Sequence, residues 1–272
     1  MKTALVLDID GTLTAARQPI TGDVVRALDG LKVPFFLDAG THFELLQVQF
    51  FDEMYNYGFR SKFEAYLSNG AMQYYCDYTI SKYIKLKSQF ILKDYLGEFE
   101  YAYLIDALQE ILDNDNFRLP DNVTLFDDRL VDRVSMINLC PIGRDGKGAA
   151  SLDNRFKFKQ FDKNTNFRYN VIQYLNSKLY NIIRDKNLYI TYGGETSFDI
   201  GIIGQDKTKV IRRLVDEGYD EIIFIGDALY DHGNDAIVRE YVENWPHDFR
   251  CPVRTIQVKS YHDTLDILRM YM

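Results

Sequence analysis

Short apolar runs alternate along this chain with longer stretches in which apolar residues recur every three or four positions. The runs Ala4-Leu5-Val6-Leu7, residues 33–37 and Ile222-Ile223-Phe224-Ile225 are continuous rather than alternating. Runs of that kind predict strands buried on both faces, as in a parallel sheet. Between them Val24, Val25, Leu28 and Leu31 fall on one face of a helix, with Thr21 as its expected N-cap. Residues 43–54 predict a further amphipathic helix, and Ala65-Tyr66-Leu67 a strand closing at Ser68-Asn69-Gly70. The helix after Gln205-Asp206-Lys207 turns Val210, Ile211 and Leu214 inward, and residues 264–272 make a last amphipathic helix. Such alternation of strand and helix signals an α/β fold built on a parallel sheet.

The rhythm changes near residue 80. Residues 82–112 read as largely helical, with Tyr83, Leu86, Phe90, Leu104, Leu108 and Leu112 on apolar faces. Turn signals follow at 114–116 and 120–122, then strands through Leu125 and Val131 to Leu139. A helix carrying Tyr169, Ile172 and Leu175 precedes a strand at 188–191. That order predicts an α+β unit, residues 81–206, inserted into a core made of residues 1–80 and 207–272.

Composition narrows the classes of function. The 272 residues are 46% hydrophobic and 26% charged, which argues for a folded chain. A net charge of −8 argues against a nucleic-acid partner, which calls for a basic surface. Any phosphate site must therefore be a local concentration of Arg and Lys. No run approaches the ~18 apolar residues of a membrane span. Cys76, Cys140 and Cys251 have no metal spacing and no disulfide framework. Met1-Lys2-Thr3 leads straight into the first strand, so the expectation is a soluble, cytoplasmic protein without a signal peptide.

The candidate chemistry begins where the first strand ends, at Asp8-Ile9-Asp10-Gly11-Thr12-Leu13-Thr14. Alternate residues of an extended chain point the same way, so Asp8 and Asp10 converge beyond the carboxyl end of a strand, where α/β sheets bind ligands. Two such carboxylates repel, and oxygen ligands of this kind favour magnesium. Arg133, Arg144 and Arg155 cluster in one strand–loop–helix stretch, with Arg144 presented by the turn Pro141-Ile142-Gly143. Guanidinium forks match phosphate oxygens; the alternative is a solvated face paired with Asp127, Asp128 and Asp153. Ser197 and Asp199, two apart after Gly193-Gly194, share a strand face and suit sugar hydroxyls.

The Asp-x-Asp-Gly-Thr-Leu-Thr run resembles the first motif of the haloacid dehalogenase superfamily. Thr41, Lys207 and Asp227 stand where its second, third and fourth motifs fall. The stretch from Asp10 to Thr21, the segment 133–144, Gly193-Gly194-x-x-Ser197-Phe198-Asp199 and Gly204-x-Asp206-Lys207 closely resemble eukaryotic-type phosphomannomutases. The resemblance implies a Rossmannoid parallel-sheet core with an inserted α+β cap domain. It implies Asp8 as nucleophile, Asp10 as general acid and base, and Lys207 as the neutralising cation. Magnesium would sit on Asp8, the Asp10 main-chain carbonyl and Asp227. Arg17, Thr41, Arg133, Arg144, Arg155, Ser197 and Asp199 would bind the phosphosugar. The implied activity is an isomerase, interconverting mannose 6-phosphate and mannose 1-phosphate through an aspartyl-phosphate, with a hexose 1,6-bisphosphate as activator. It further implies a homodimer formed through the cap and a place in GDP-mannose supply. The same residues would also serve a magnesium-dependent sugar-phosphate phosphatase, which is the alternative.

Overall fold

The run Thr3–Leu7 forms β1, a strand buried along its whole length. In the computed structural model, residues 2–16, 18–144, 151–231, 233–244 and 251–272 are described. The chain divides into two compact units, Met1–Gln89 with Gly204–Met272, and Phe90–Ile203.

In the first unit, β2 (Phe35–Asp38), β3 (Lys62–Leu67), β4 (Met72–Asp77) and β5 (Tyr83–Gln89) follow β1. After the second unit come β10 (Glu221–Gly226) and β11 (Val253–Gln257). Among the described residues these make one sheet in the order β11-β10-β1-β2-β3-β4-β5. Pairing is parallel from β11 to β3 and antiparallel for β4 and β5. Because side chains alternate across a strand, Leu5 and Leu7 enter one core while Ala4 and Val6 enter another. Helix Gly22–Asp29 covers the first face through Val24, Val25 and Leu28. Helices Thr208–Asp216 and Ala236–Glu243 cover the second through Val210, Ile211, Leu214 and Val238. Helices on both faces are what make near-continuous apolar strands soluble. The carboxyl ends of three neighbouring strands then bear Asp8, Asp38 and Asp227.

Two expectations are corrected here. Residues 83–89 form the strand β5 rather than a helix, and they belong with the first unit, which places the boundary at 89/90 instead of 80/81. This edge strand is largely exposed on both faces, so its apolar residues carry no period of two. Thr21 is the N-cap residue of helix Gly22–Asp29, as expected, although its side chain makes no cap bond and its hydroxyl is buried without a partner among the described residues. Leu125 lies outside any strand, and the segment 125–139 contributes only two short ones.

Those two, β6 (Leu130–Asp132) and β7 (Ile137–Leu139), join β8 (Leu188–Gly193) and β9 (Ser197–Ile202) in an antiparallel sheet of order β6-β7-β9-β8. Ile137, Leu139, Phe198 and Ile200 face helices that contribute Leu104, Leu108, Phe158, Val171 and Leu175 to the second unit's core. The alternate positions, Asn138, Ser197 and Asp199, take the other face. Between β6 and β7 the chain reverses at Val134, whose φ is +71°. There the Ser135 N–H bonds the Arg133 carbonyl at 2.8 Å, a γ-turn of positive φ. A β-branched residue pays steric strain in that region. The turn is held by the Asp132 carboxylate, which accepts from the Val134 N–H at 2.6 Å. The Leu92 N–H, bonded to the Val134 carbonyl at 2.8 Å, holds it from the other side.

Replacing Val134 by Gly should therefore raise stability by about 1 kcal/mol, strain relief outweighing the added freedom of the unfolded chain. Thermal and urea unfolding would show it, and a lower midpoint would mean the turn is unstrained.

Candidate active site

At the end of β1 the chain leaves the sheet through a tight loop. The N–H groups of Thr12, Leu13 and Thr14 all converge on the Ile9 carbonyl, at 3.2, 2.9 and 3.1 Å. Thr264, in the last helix, donates to the Thr12 carbonyl at 2.6 Å and ties the loop down. Gly11 has φ +86°, and a β-carbon there would come within 2.5 Å of the Asp227 carboxylate. Only glycine lets the loop after Asp10 pass so close to the end of β10.

Lys207 organises what lies beneath. It is 1% exposed, and its ammonium donates to Asp8 Oδ1 at 2.7 Å and to Asp235 Oδ1 at 2.6 Å. Asp206 fixes the backbone on either side of it, accepting from the Thr208 N–H at 2.8 Å and from the Gly204 N–H at 2.9 Å. Asp235 is also fully buried, and the Ala228 N–H donates to its other oxygen at 3.3 Å. A side chain at Gly226 would run into this carboxylate. Burial pushes the Asp8 carboxyl up to about 7, against the pull of Lys207 and with Asp235 and Asp227 adding to the rise. Burial alone would lower the lysine, but the carboxylates of Asp235, Asp8 and Asp38 outweigh it and hold Lys207 charged.

Asp8, Asp227 and Asp235 present oxygens within 4.8 Å of one another. Asp8 Oδ2 is buried without a hydrogen-bond partner among the described residues. Burial, then Asp235, raises the Asp227 carboxyl. An orphaned carboxylate oxygen beside further crowded acids fits a hard divalent cation with oxygen ligands. Of the acids expected to hold a metal, Asp8 and Asp227 meet by their side chains. Asp10 is expected to contribute its main-chain carbonyl, and its side chain is engaged by Thr41, whose hydroxyl donates to Asp10 Oδ2 at 2.9 Å; Asp235 supplies the third side-chain carboxylate of the trio. Thr41 itself is set by the turn after β3, where the Ser68 N–H bonds its carbonyl at 3.1 Å.

In the second unit, Arg144, Ser197 and Asp199 come together around Asn138, and the charge of Arg133 acts on Asp199. The turn before Arg144 needs Gly143, which has φ +72° and packs directly on the Phe126 carbonyl. Arg144 donates to the Asp128 carbonyl at 3.2 Å and to Asn138 Oδ1. Its contacts with 127 and 128 are thus to main chain, and Asp153 pairs with Lys157. The solvated-face alternative does not describe Arg144. Burial lowers the Arg133 pKa, while Asp199 acts to raise it and Arg144 to lower it. Arg155 lies in the helix Leu152–Thr165 with its Nε buried and unpartnered among the described residues. Its charge acts on Glu195, in the turn between Gly193 and Ser197. Arg17 lies outside the described residues.

Sequence reasoning missed Asp38, Asn138 and the role of Asp235 at the lysine. Asp38 is completely buried, and neither of its carboxylate oxygens has a hydrogen-bond partner among the described residues. An acid closing an otherwise apolar strand was the available signal.

Comparison with known proteins bears on this arrangement. A family model described as eukaryotic phosphomannomutase matches residues 44–264. A phosphomannomutase of Schizosaccharomyces pombe is 30% identical over 241 residues, 86% of this chain and 84% of that one. One of Saccharomyces cerevisiae is 28% identical over 267 residues, 94% and 92% of the two chains. Among solved structures, the IMP-bound IMP-nucleotidase of Plasmodium falciparum is similar at a TM-score of 0.59 and 12% identity, covering 99% of this chain and 68% of that one. The C-terminal domain of the Candida albicans trehalose synthase regulatory protein reaches 0.55 at 13%, covering 98% and 93%. At such identities the structural likeness concerns the fold alone.

The unpartnered acid yields a prediction. Burial, with Asp8, Asp235 and Asp206 adding to it and Lys207 opposing, raises the Asp38 carboxyl well above its ordinary 3.8. The folded state thus keeps this proton to higher pH than the unfolded chain does. Its contribution to stability is fully present below about 3.8 and is lost as pH rises towards the raised value. Asp38→Val should stabilise the protein by roughly 1–3 kcal/mol, with a larger gain at pH 7 than at pH 4.5. Urea titrations at the two pH values test this, and a destabilised variant would mean that the carboxylate is satisfied in solution.

Proposed function

The chain belongs to the eukaryotic phosphomannomutase family, and from that membership we propose that it interconverts mannose 6-phosphate and mannose 1-phosphate through an aspartyl-phosphate. Its parallel-sheet core is a haloacid dehalogenase-like fold. The observation that carries the reading is the buried Asp8, held through one oxygen by Lys207 while the other has no hydrogen-bond partner among the described residues.

In this reading Asp8 attacks the phosphorus of a hexose 1,6-bisphosphate. The bond to the sugar oxygen breaks, Asp10 gives that oxygen its proton, and Asp8 becomes an acyl phosphate. For the return, Asp10 removes the proton from a sugar hydroxyl, which attacks the acyl phosphate and frees Asp8 as a carboxylate. The hydrogen bond from Thr41 orients the Asp10 carboxylate for both transfers. Lys207, kept charged by its carboxylate neighbours, balances the negative charge that gathers at Asp8. Asp8 and Asp227, with the Asp10 main-chain carbonyl, would hold magnesium, which when bound offsets carboxylate and phosphate charge. Arg17, Thr41, Arg133, Arg144, Arg155, Ser197 and Asp199 bind the phosphosugar, arginines to phosphate and the Ser–Asp pair to hydroxyls. Family membership also supports a hexose 1,6-bisphosphate activator and a cytoplasmic homodimer, formed through the inserted unit, that supplies GDP-mannose synthesis.

A coupled assay on mannose 1-phosphate with magnesium tests the proposal, reading mannose 6-phosphate and free phosphate together. Glucose 1,6-bisphosphate in catalytic amount should switch on mannose 6-phosphate formation with little free phosphate. Asp8→Asn should lower that rate roughly a thousandfold or more. Phosphate released without isomerisation would overturn the mutase reading, because phospho-Asp8 would then be passing its phosphoryl group to water.

A further inference from the structure

Asn138 is 2% exposed, yet its neighbours are charged. It lies in β7, in register with Asp199 of β9. Its Oδ1 accepts from Arg144 Nη2. Its Nδ2 donates to Asp199 Oδ1 at 2.6 Å, to the Phe198 carbonyl at 3.2 Å and to Ser197 Oγ at 3.3 Å. Ser197 spends its own proton on the Gly193 carbonyl, so its oxygen is the acceptor here. One neutral amide thus meets a cation with its acceptor end and an anion with its donor end. Among the described residues Arg144 has no ion pair with any carboxylate, although its charge and that of Arg133 act on Asp199.

We propose that Asn138 is a positioning residue that keeps Arg144 and Asp199 from pairing with each other, so that the guanidinium is left for a phosphate and the carboxylate for a hydroxyl. The inference rests on the reading of these residues as a phosphosugar site. Without the amide, opposite charges in a half-buried setting close on one another. The pair would then satisfy itself and compete with the ligand for both groups. A spacer that bonds each charge without neutralising either holds them ready. The device is chemically specific: a hydrophobic side chain would not bond either group, and a charged one would pair with one of them and repel the other.

The test measures mannose 1-phosphate binding by calorimetry, alongside steady-state kinetics, in the full-length protein. Asn138→Ala should weaken binding and raise KM by about tenfold or more, with kcat changed much less. The decisive comparison adds Asp199→Asn to Asn138→Ala. If Asp199 captures Arg144 once the amide is gone, neutralising it frees the arginine, and the double variant binds more tightly than Asn138→Ala alone. A double variant that binds more weakly than Asn138→Ala, or an Asn138→Ala protein that binds as the wild type does, would overturn the inference. Circular dichroism checks folding, and Asn138→Ser, which fills more of the space, carries the same comparison if the alanine variant does not fold. Wild-type protein that binds no mannose 1-phosphate would overturn the functional reading itself, and this inference with it.

Discussion

One ammonium group, that of Lys207, answers two buried carboxylates directly and a third through space. Taking a charge out of water costs several kcal/mol, so such a cluster persists only where the surrounding chain leaves it no alternative. The constraint is visible in the backbone. Asp206 clamps the residues on both sides of the lysine, and Gly226 leaves room for Asp235. Burial, with the neighbouring acids Asp235 and Asp227 adding to it, raises the Asp8 carboxyl even though it touches a lysine. A site in this condition is electrostatically unfinished, and under the proposed function a cation together with a phosphoryl group would complete it.

The second unit solves the opposite problem. Where the core brings opposite charges into contact, the antiparallel sheet holds them apart with a neutral amide. Under the proposed function the two solutions match two tasks. A nucleophile needs its position fixed more than it needs freedom, whereas binding groups lose their use once they satisfy each other.

Much of this was readable in the chain. Asp8, Asp10, Lys207 and Asp227 sit at ends of strands or helices that hydrophobic patterning locates, and buried parallel strands leave a strong signal in continuous apolar runs. Ser197 and Asp199 shared a face by the period of two alone. What patterning cannot supply is register. That Asn138 stands beside Asp199 depends on how β7 meets β9 across 61 residues, and nothing in either strand specifies it. Asp38 escaped for a related reason, since its meaning lies in the lysine 169 residues away. The misread strand β5 shows the limit from the other side, because an edge exposed on both faces gives its side chains no inside or outside to record.

The unit bearing Asp8 is discontinuous in sequence, and this governs the order in which a growing chain acquires its parts. β1 is made long before its neighbour β10, which pairs with it across 218 residues, Thr3 lying against Glu221. Lys207 and Asp227 arrive with that same late segment. The inserted unit, by contrast, is one continuous stretch, and its contacts close as it is synthesised. During translation the buried face of β1 therefore waits, half-paired and strongly apolar, while the whole insert folds in front of it. Long-range parallel pairing of this kind is intrinsically slow and aggregation-exposed. The segment from Gly204 onward thus delivers Lys207, Asp227 and the missing half of the central strand's hydrogen bonds together.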